Sequence, residues 1–129
     1  MSRCGRAALV LGVWATAASC ALAQAVSDTP DRAVPWPVVG EMGLMRVVIV
    51  PADLATDQAA YEAQLPLLCA PLTTCFLNFH TNTTGATVAM PLPEAIEKEA
   101  TAVFRRSSKQ GAERLMWSCR VKPGAVGCF

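Results

Sequence analysis

The chain has 129 residues, a hydrophobic fraction of 53% and a formal net charge of +1. This length is sufficient for one domain with a small core. The near-neutral charge is not that of nucleic-acid-binding domains, which carry a strongly basic face.

The first 23 residues have the pattern of a secretory signal peptide. Arg3 and Arg6 give a basic start, a short apolar run follows, and Ala21-Leu22-Ala23 is a small-residue cleavage site. The apolar run is shorter than the about 20 residues that a membrane-spanning helix needs. We therefore predict export to the periplasm or the exterior, with cleavage after Ala23 or after Ala25.

Ala17-Ala18-Ser19-Cys20 offers an alternative, because it resembles the site at which bacterial lipoproteins are cleaved and lipidated. Lipidation of Cys20 would anchor the protein to the outer envelope. The first position of such a site is usually leucine and is Ala17 here, so we keep signal cleavage as the prediction.

Four cysteines follow the signal peptide, and an even number in an oxidising compartment predicts two disulfides. A turn at Pro123-Gly124 would bring Cys119 opposite Cys128, which leaves Cys69 to pair with Cys75 across a short loop. A Cys75–Cys119 crosslink would stabilise by about 4 kcal/mol, against about 2–3 kcal/mol for each short loop. Proximity along the chain favours Cys69–Cys75 and Cys119–Cys128.

Residues 24–44 are predicted to form a flexible, proline-containing arm, and residues 45–129 a single disulfide-stapled domain. Pro35 and Pro37 flank Trp36 and prevent regular hydrogen bonding there. We expect Trp36 to dock on the domain, because an exposed tryptophan is costly.

The domain begins with a strand over 45–50, rich in β-branched residues and ended by Pro51. A helix capped by Asp53 or Thr56 follows, and Pro66 is expected to end or kink it near Leu65. Its buried stripe would consist of Tyr61, Leu65 and Leu68.

The next strand, over 75–81, has a clear period of two. One face would carry Cys75, Leu77 and Phe79. The other would carry Phe76, Asn78 and His80.

The best helix pattern of the chain covers 94–109, with acids at its start, bases at its end and Gly111 as the stop. Its buried stripe would consist of Ile96, Ala100, Val103 and Phe104. The bases Arg105, Arg106 and Lys109 are then explained by the helix dipole, and an anion site is the alternative.

A last strand over 113–121 would turn back at Pro123-Gly124. The elements follow in β-α-β-α-β order and predict an α+β fold, with a small sheet of three to four strands covered by two helices. A fourth strand would come from 87–90 or from the arm.

The inventory of chemical groups argues against most catalytic classes. His80 is the single histidine of the chain, and a blue-copper site needs two histidines and a cysteine. A Ser-His-Asp arrangement would have to use this histidine without the sharp turn that exposes a nucleophilic serine. A cysteine nucleophile needs a free thiol, and we expect all four to be oxidised. We therefore predict no enzyme, no cofactor and no metal site.

Asn78 and His80 remain as candidate ligand-binding residues, because both project from one face near the end of a strand. We predict a small exported protein, periplasmic or secreted, that acts as a non-enzymatic binding or accessory domain for an unknown protein or small ligand. A small hydrolase or metal-binding protein that uses His80 is the alternative. Without the signal peptide nine bases face ten acids, so nucleic acid is not an expected partner, and no transmembrane helix is predicted to remain after cleavage.

Overall fold

The computed structural model describes residues 34–129, so the predicted signal peptide, Cys20 and the first part of the arm lie outside the described residues. The described part is built on a five-stranded mixed sheet. Its strands are β1 (Val38–Met42), β2 (Met45–Ile49), β3 (Cys75–His80), β4 (Ala100–Arg106) and β5 (Glu113–Trp117). Its helices are α1 (Gln58–Leu68) and α2 (Glu94–Glu97), preceded by a 3₁₀ turn at Ala52–Leu54.

The five strands lie side by side in chain order. β2 and β3 are parallel and α1 connects them, while the other three neighbouring pairs are antiparallel. A helical connection is what two parallel neighbours require, because a tight turn cannot join them. This arrangement fits the predicted α+β class, but the sheet has five strands instead of three or four.

β1 is the predicted fourth strand, and it comes from the arm and not from 87–90, which form no strand. A two-residue loop, Gly43-Leu44, joins it to β2, with Met42 opposite Met45. Gly43 has a φ of 59°, a left-handed conformation that glycine adopts without steric cost and that tight hairpin loops require. Residues 38–42 depart from the predicted arm because pairing with β1 satisfies one side of β2, whose backbone groups would otherwise lack partners.

Trp36 docks on the domain, as expected. It is buried, and its ring meets that of Tyr61 edge-on at a centroid distance of 5.0 Å. Its backbone N–H donates to Gln64 Oε1 at 2.7 Å, and Gln64 Nε2 donates to the carbonyl of Val34 at 3.1 Å. One glutamine of α1 thus holds the extended segment ahead of β1.

The cap of α1 is Asp57, one residue after the predicted cap at Thr56: its carboxylate accepts from the N–H of Ala60 at 3.2 Å, and the helix begins at Gln58. It does not end near Leu65 but continues past Pro66 to Leu68. A proline this close to the end of a helix removes one N–H donor while the following turn can still close. Here the N–H of Cys69 donates to the carbonyl of Leu65 at 2.9 Å.

The long helix predicted over 94–109 is wrong. α2 has four residues, and β4 follows it after two residues. Acids, alanines and lysines favour a helix by local propensity, but tertiary context overrides that preference. In β4 the side chains of Ala102 and Phe104 are buried opposite Phe79 and Leu77, a period of two that is compatible with a strand between two neighbours.

The explanation of the basic cluster by a helix dipole falls with that helix. Arg106 lies on β4, where Nε donates to the carbonyl of Thr73 at 2.7 Å and Nη2 donates to that of Ala70 at 2.6 Å. Arg46 of β2 donates to the carbonyl of Leu68. Arg106 therefore binds two carbonyl groups within the Cys69–Cys75 loop, and Arg46 binds the carbonyl group just before it.

β5 ends at Trp117, and residues 118–129 form a series of turns without a second strand of the predicted hairpin. The Cys119–Cys128 disulfide nevertheless forms, with a Cα–Cα distance of 5.0 Å. Phe129 holds this segment against β5: its N–H donates to the carbonyl of Trp117 at 3.1 Å, and its carbonyl accepts from the N–H of Cys119 at 2.9 Å.

The Cys69–Cys75 disulfide is also present. Two disulfides indicate an oxidising, extracellular compartment, since cytosolic thiols are kept reduced. Across residues 34–129, no helix combines the length and apolar character that crossing a bilayer demands.

The core lies on one face of the sheet, beneath α1. Tyr61 occupies its centre, with Phe79 and Trp117 edge-on to its ring at 5.0 and 4.8 Å. Within the described part of the chain, no long helix lies over the opposite face. Residues 81–99 cross part of it, and Ile96 of α2 is fully buried there.

Candidate functional site

The candidate site lies on this second sheet face, where the segment 81–99 passes over the strands. Gly40, Val47 and Asn78 form one row across β1, β2 and β3, because each is the register partner of the next. His80 lies two residues beyond Asn78 on the same face, at the end of β3. The strand alternation inferred from the sequence is therefore present, and it brings both predicted ligand-binding residues together.

Both of these residues line a cavity of about 170 Å³. Its wall is mainly apolar and contains three methionines. The lining residues are Met42, Met45, Val47, Asn78, His80, Met90, Pro91, Leu92 and Glu97.

His80 is buried, with 8% of its surface exposed. Its Nδ1 lies 3.0 Å from the carbonyl oxygen of Ile96. A carbonyl only accepts, so Nδ1 carries the proton, and Nε2 of the neutral ring is an unprotonated nitrogen. Among residues 34–129, Nε2 has no hydrogen-bond partner. The short helix α2 therefore sets both the orientation and the tautomer of this histidine.

Burial lowers the pKa of His80 below its ordinary value, because the charged ring would lose its hydration. The hydrogen bond to Ile96 and the nearby carboxylate of Glu97 act in the opposite direction, as does Glu99 more weakly, while Arg120 adds to the lowering. At neutral pH the ring is uncharged and its Nε2 lone pair is available.

This burial predicts a loss of stability in acid. Above about pH 6.5 the imidazole is neutral in the folded and unfolded states alike. As the pH falls through about 6.5, the unfolded chain takes up a proton that the folded chain refuses, so the free energy of unfolding falls. The urea midpoint should therefore be lower at about pH 5.5 than at about pH 7.5. His80 is the single histidine, so a His80→Gln variant that kept the full difference would contradict this assignment.

Asn78 is held from two sides. Its Oδ1 accepts from Arg105 Nη2 at 2.8 Å, which fixes the amide orientation. Its Nδ2 then faces the sulfur of Met45 at 2.8 Å. Arg105 is itself placed over the ring of Phe76 and donates to the carbonyl of Leu77 at 3.0 Å. Protein contacts thus fix the orientation of Asn78 in the cavity wall.

Met90 reaches the cavity by lying directly on β1. A Cβ atom at position 40 would collide with the Met90 sulfur and would come within 2.8 Å of its Cγ. Gly40 is therefore the residue that allows the thioether to approach the sheet.

The sequence reasoning missed the three methionines. Met42 and Met45 flank the β1–β2 loop, and Met90 lies more than 40 positions further along the chain. A methionine in an apolar pattern is ordinary core material, so no local signal distinguishes these three. The pairing of β1 with β2 and the path of 81–99 bring them together.

Two wider and more open grooves lie on the other side of the molecule, beside α1. They share Glu62, Leu65, Phe104 and Glu113. The two acids that they share are already paired: Glu113 with Arg106 at 3.3 Å, and Glu62 with the side chain of Gln58 at 2.8 Å. The site is therefore placed in the methionine-lined cavity, where Nε2 of His80 has no such partner within the described residues.

Residues 34–129 contain no group of three or more His, Cys, Asp or Glu side chains that could hold a metal ion. Comparison with known proteins yields no relative: no family model, curated protein or solved structure matches this chain.

Proposed function

We propose that this chain is an exported, non-enzymatic binding domain, periplasmic or secreted, whose ligand site is the methionine-lined cavity. One observation carries the proposal: a preformed, largely apolar cavity in which Asn78 and His80 are the fixed polar groups. Ligand sites are typically concave and apolar, with a few oriented polar groups.

The surroundings of His80 support binding over catalysis. A catalytic histidine has a nucleophile or a proton donor of the substrate within hydrogen-bond reach, and a third group that orients it. Ile96 provides the orientation, but within the described residues no serine, threonine or cysteine is hydrogen-bonded to this ring. All four cysteines of the described part are in disulfides.

The disulfides and the sequence of the first 23 residues together support export. Small domains with limited cores commonly use such crosslinks in secreted or periplasmic proteins. The natural partner is a small ligand or a protein that presents a small apolar group to the cavity.

Methionine methyl NMR tests whether the cavity accepts a guest. The purified protein, carrying carbon-13 in its methionine methyl groups, is titrated with phenol, because apolar cavities of about 150 Å³ accept benzene-sized molecules. The signals of Met42, Met45 and Met90 should shift saturably. Met116 lies on the same sheet face, on β5, but does not line the cavity, so its signal should not move.

Single Met→Leu variants at positions 42, 45, 90 and 116 assign these signals, since each removes one. Equal shifts at Met116, or none at the three cavity methionines, would contradict a ligand site here. Saturable hydrolysis of 4-nitrophenyl acetate that His80→Ala abolishes would contradict the non-enzymatic part of the proposal.

A further inference from the structure

We propose that the cavity binds a soft monovalent cation, Cu(I), through the thioether sulfurs of Met42, Met45 and Met90 together with Nε2 of His80. This inference rests on the proposed function, because it names the ligand class of the same cavity. Ag(I) shares the chemistry and serves as a probe that does not change oxidation state.

The cavity is lined by side chains with soft metal-ligand atoms. Three of the four methionines of residues 34–129 line one small cavity that also holds the single histidine. Thioethers are soft ligands that select Cu(I) over hard cations, and imidazole also binds copper. Met42 and Met45 are direct register partners at the β1–β2 loop. Met90 joins them from the segment that crosses the sheet.

The tautomer and orientation of the His80 ring are those of a metal ligand. Histidine ligands usually donate their second ring N–H to a carbonyl or carboxylate, which fixes the tautomer and the ring orientation. The bond from Nδ1 to the carbonyl of Ile96, at 3.0 Å, has this form. It leaves Nε2 as a lone-pair donor in a residue that lines the cavity.

The charge of the cavity lining favours a cation. Glu97 is the single charged residue among those that line the cavity, and it is an exposed acid at the rim. A carboxylate at the mouth of an apolar cavity raises the local concentration of cations and repels anions.

The oxidising compartment that the disulfides indicate favours thioether ligands over thiolates. Cysteine thiolates are the stronger soft ligands, but Cys69, Cys75, Cys119 and Cys128 are oxidised in pairs. A thioether cannot form a disulfide and remains a soft donor under oxidising conditions.

The cavity is wider than one metal ion, so the thioethers must turn inward when the ion binds. Methionine allows this, because its unbranched side chain has three rotatable bonds. Met42 is 54% exposed and Met90 is 37% exposed, so both side chains can change rotamer without breaking core packing. The sulfur of Met45 already faces Asn78 inside the cavity.

Anaerobic competition against the chromophoric chelator bicinchoninate measures Cu(I) affinity. We expect one equivalent of Cu(I) to transfer to the purified protein. In the methionine methyl spectrum, Cu(I) or Ag(I) should shift Met42, Met45 and Met90 and leave Met116. Zn(II), which lacks a preference for thioethers, should shift none of them.

Single variants distinguish the side chains that are proposed to bind the ion from those that do not. Met90→Leu and His80→Gln should each lower the affinity for Cu(I) by about tenfold or more. Even the loss of a group outside the ligand set lowers metal affinity by about 10–100-fold. Met116→Leu is the matched control and should keep the affinity. Gly40→Ala displaces the Met90 sulfur while leaving every proposed ligand in the chain, so it should also weaken Cu(I).

Circular dichroism of each variant shows whether it remains folded. Failure to take Cu(I) from bicinchoninate, or equal affinity in the Met42→Leu/Met45→Leu/Met90→Leu and unsubstituted proteins, would overturn the metal assignment. If phenol still shifts the three cavity methionines in that case, the proposed binding function stands and only the ligand class is wrong. If neither phenol nor Cu(I) shifts them, both proposals fail.

Discussion

Replacing Tyr61 with alanine is expected to remove about 3–5 kcal/mol of stability, the range for deleting a large buried aromatic ring. Tyr61 is fully buried. Its ring touches three others edge-on, with centroids at 5.0 Å for Trp36, 5.0 Å for Phe79 and 4.8 Å for Trp117. These partners come from the extended segment, β3 and β5, so the cavity left by alanine would loosen contacts across the whole core.

The hydroxyl group of Tyr61 adds a separable contribution. It lies 2.8 Å from the carbonyl of Ala55 and 2.7 Å from Thr101 Oγ1, and its single proton serves one of them at a time. Burial raises the pKa of Tyr61, so the group remains protonated. Tyr61→Phe removes these hydrogen bonds but keeps the ring, and should cost about 1–3 kcal/mol.

Urea unfolding followed by tryptophan fluorescence measures both variants, because two of the ring contacts are with tryptophans. A domain of this size has about 5–15 kcal/mol of stability in total, so the alanine variant should be partly unfolded or close to it. Leu72→Ala is the control: Leu72 is 89% exposed, and such a surface change should stay within about 0.5 kcal/mol. An alanine variant at position 61 as stable as this control would contradict the core assignment.

Removing both disulfides should cost about 5 kcal/mol, which is comparable with the total stability of a small domain. The closed loops are short, with sequence separations of 6 and 9. In the chain-entropy model each contributes about 2–3 kcal/mol, and the longer loop contributes slightly more.

The stability lost on removal should differ further between the two disulfides, because their surroundings differ. After its disulfide is removed, the Cys69–Cys75 loop keeps two hydrogen bonds from Arg106 to its own carbonyl groups and the bond from Arg46 to Leu68 just before it. The segment 118–129 keeps the backbone hydrogen bonds of Phe129 and a contact of Lys122 Nζ over the Trp117 ring, at 3.7 Å from its centroid, but its loop is the longer of the two. We expect the larger loss for the pair Cys119 and Cys128.

Paired alanine variants of each disulfide, compared by urea midpoint with the unsubstituted protein, test this order. In dithiothreitol, the urea midpoint of the unsubstituted protein should approach that of the variant that lacks both disulfides. A larger loss for Cys69→Ala/Cys75→Ala would show that the arginine contacts do not hold the loop by themselves.

The features determined by the sequence itself are local ones. The period of two over 75–80 placed Cys75, Leu77 and Phe79 on the core face, because adjacent side chains of a strand point to opposite sides. Both disulfides join cysteines fewer than ten positions apart, so proximity along the chain was sufficient to pair them. Asn78 and His80 could be placed on one face by the same alternation.

The tertiary structure decided what depends on partners distant in the chain. Residues 100–106 carry a pattern that also suits a helix, and they became β4 because β3 and β5 supply hydrogen bonds on both sides. Residues 38–42 became β1 because the adjacent edge of β2 was available. The cavity methionines converge for the same reason: strand pairing and the crossing of 81–99, not sequence proximity, bring Met42, Met45 and Met90 to one site. Long-range pairing of backbone groups thus created the methionine-lined cavity, and no local pattern in the sequence encodes it.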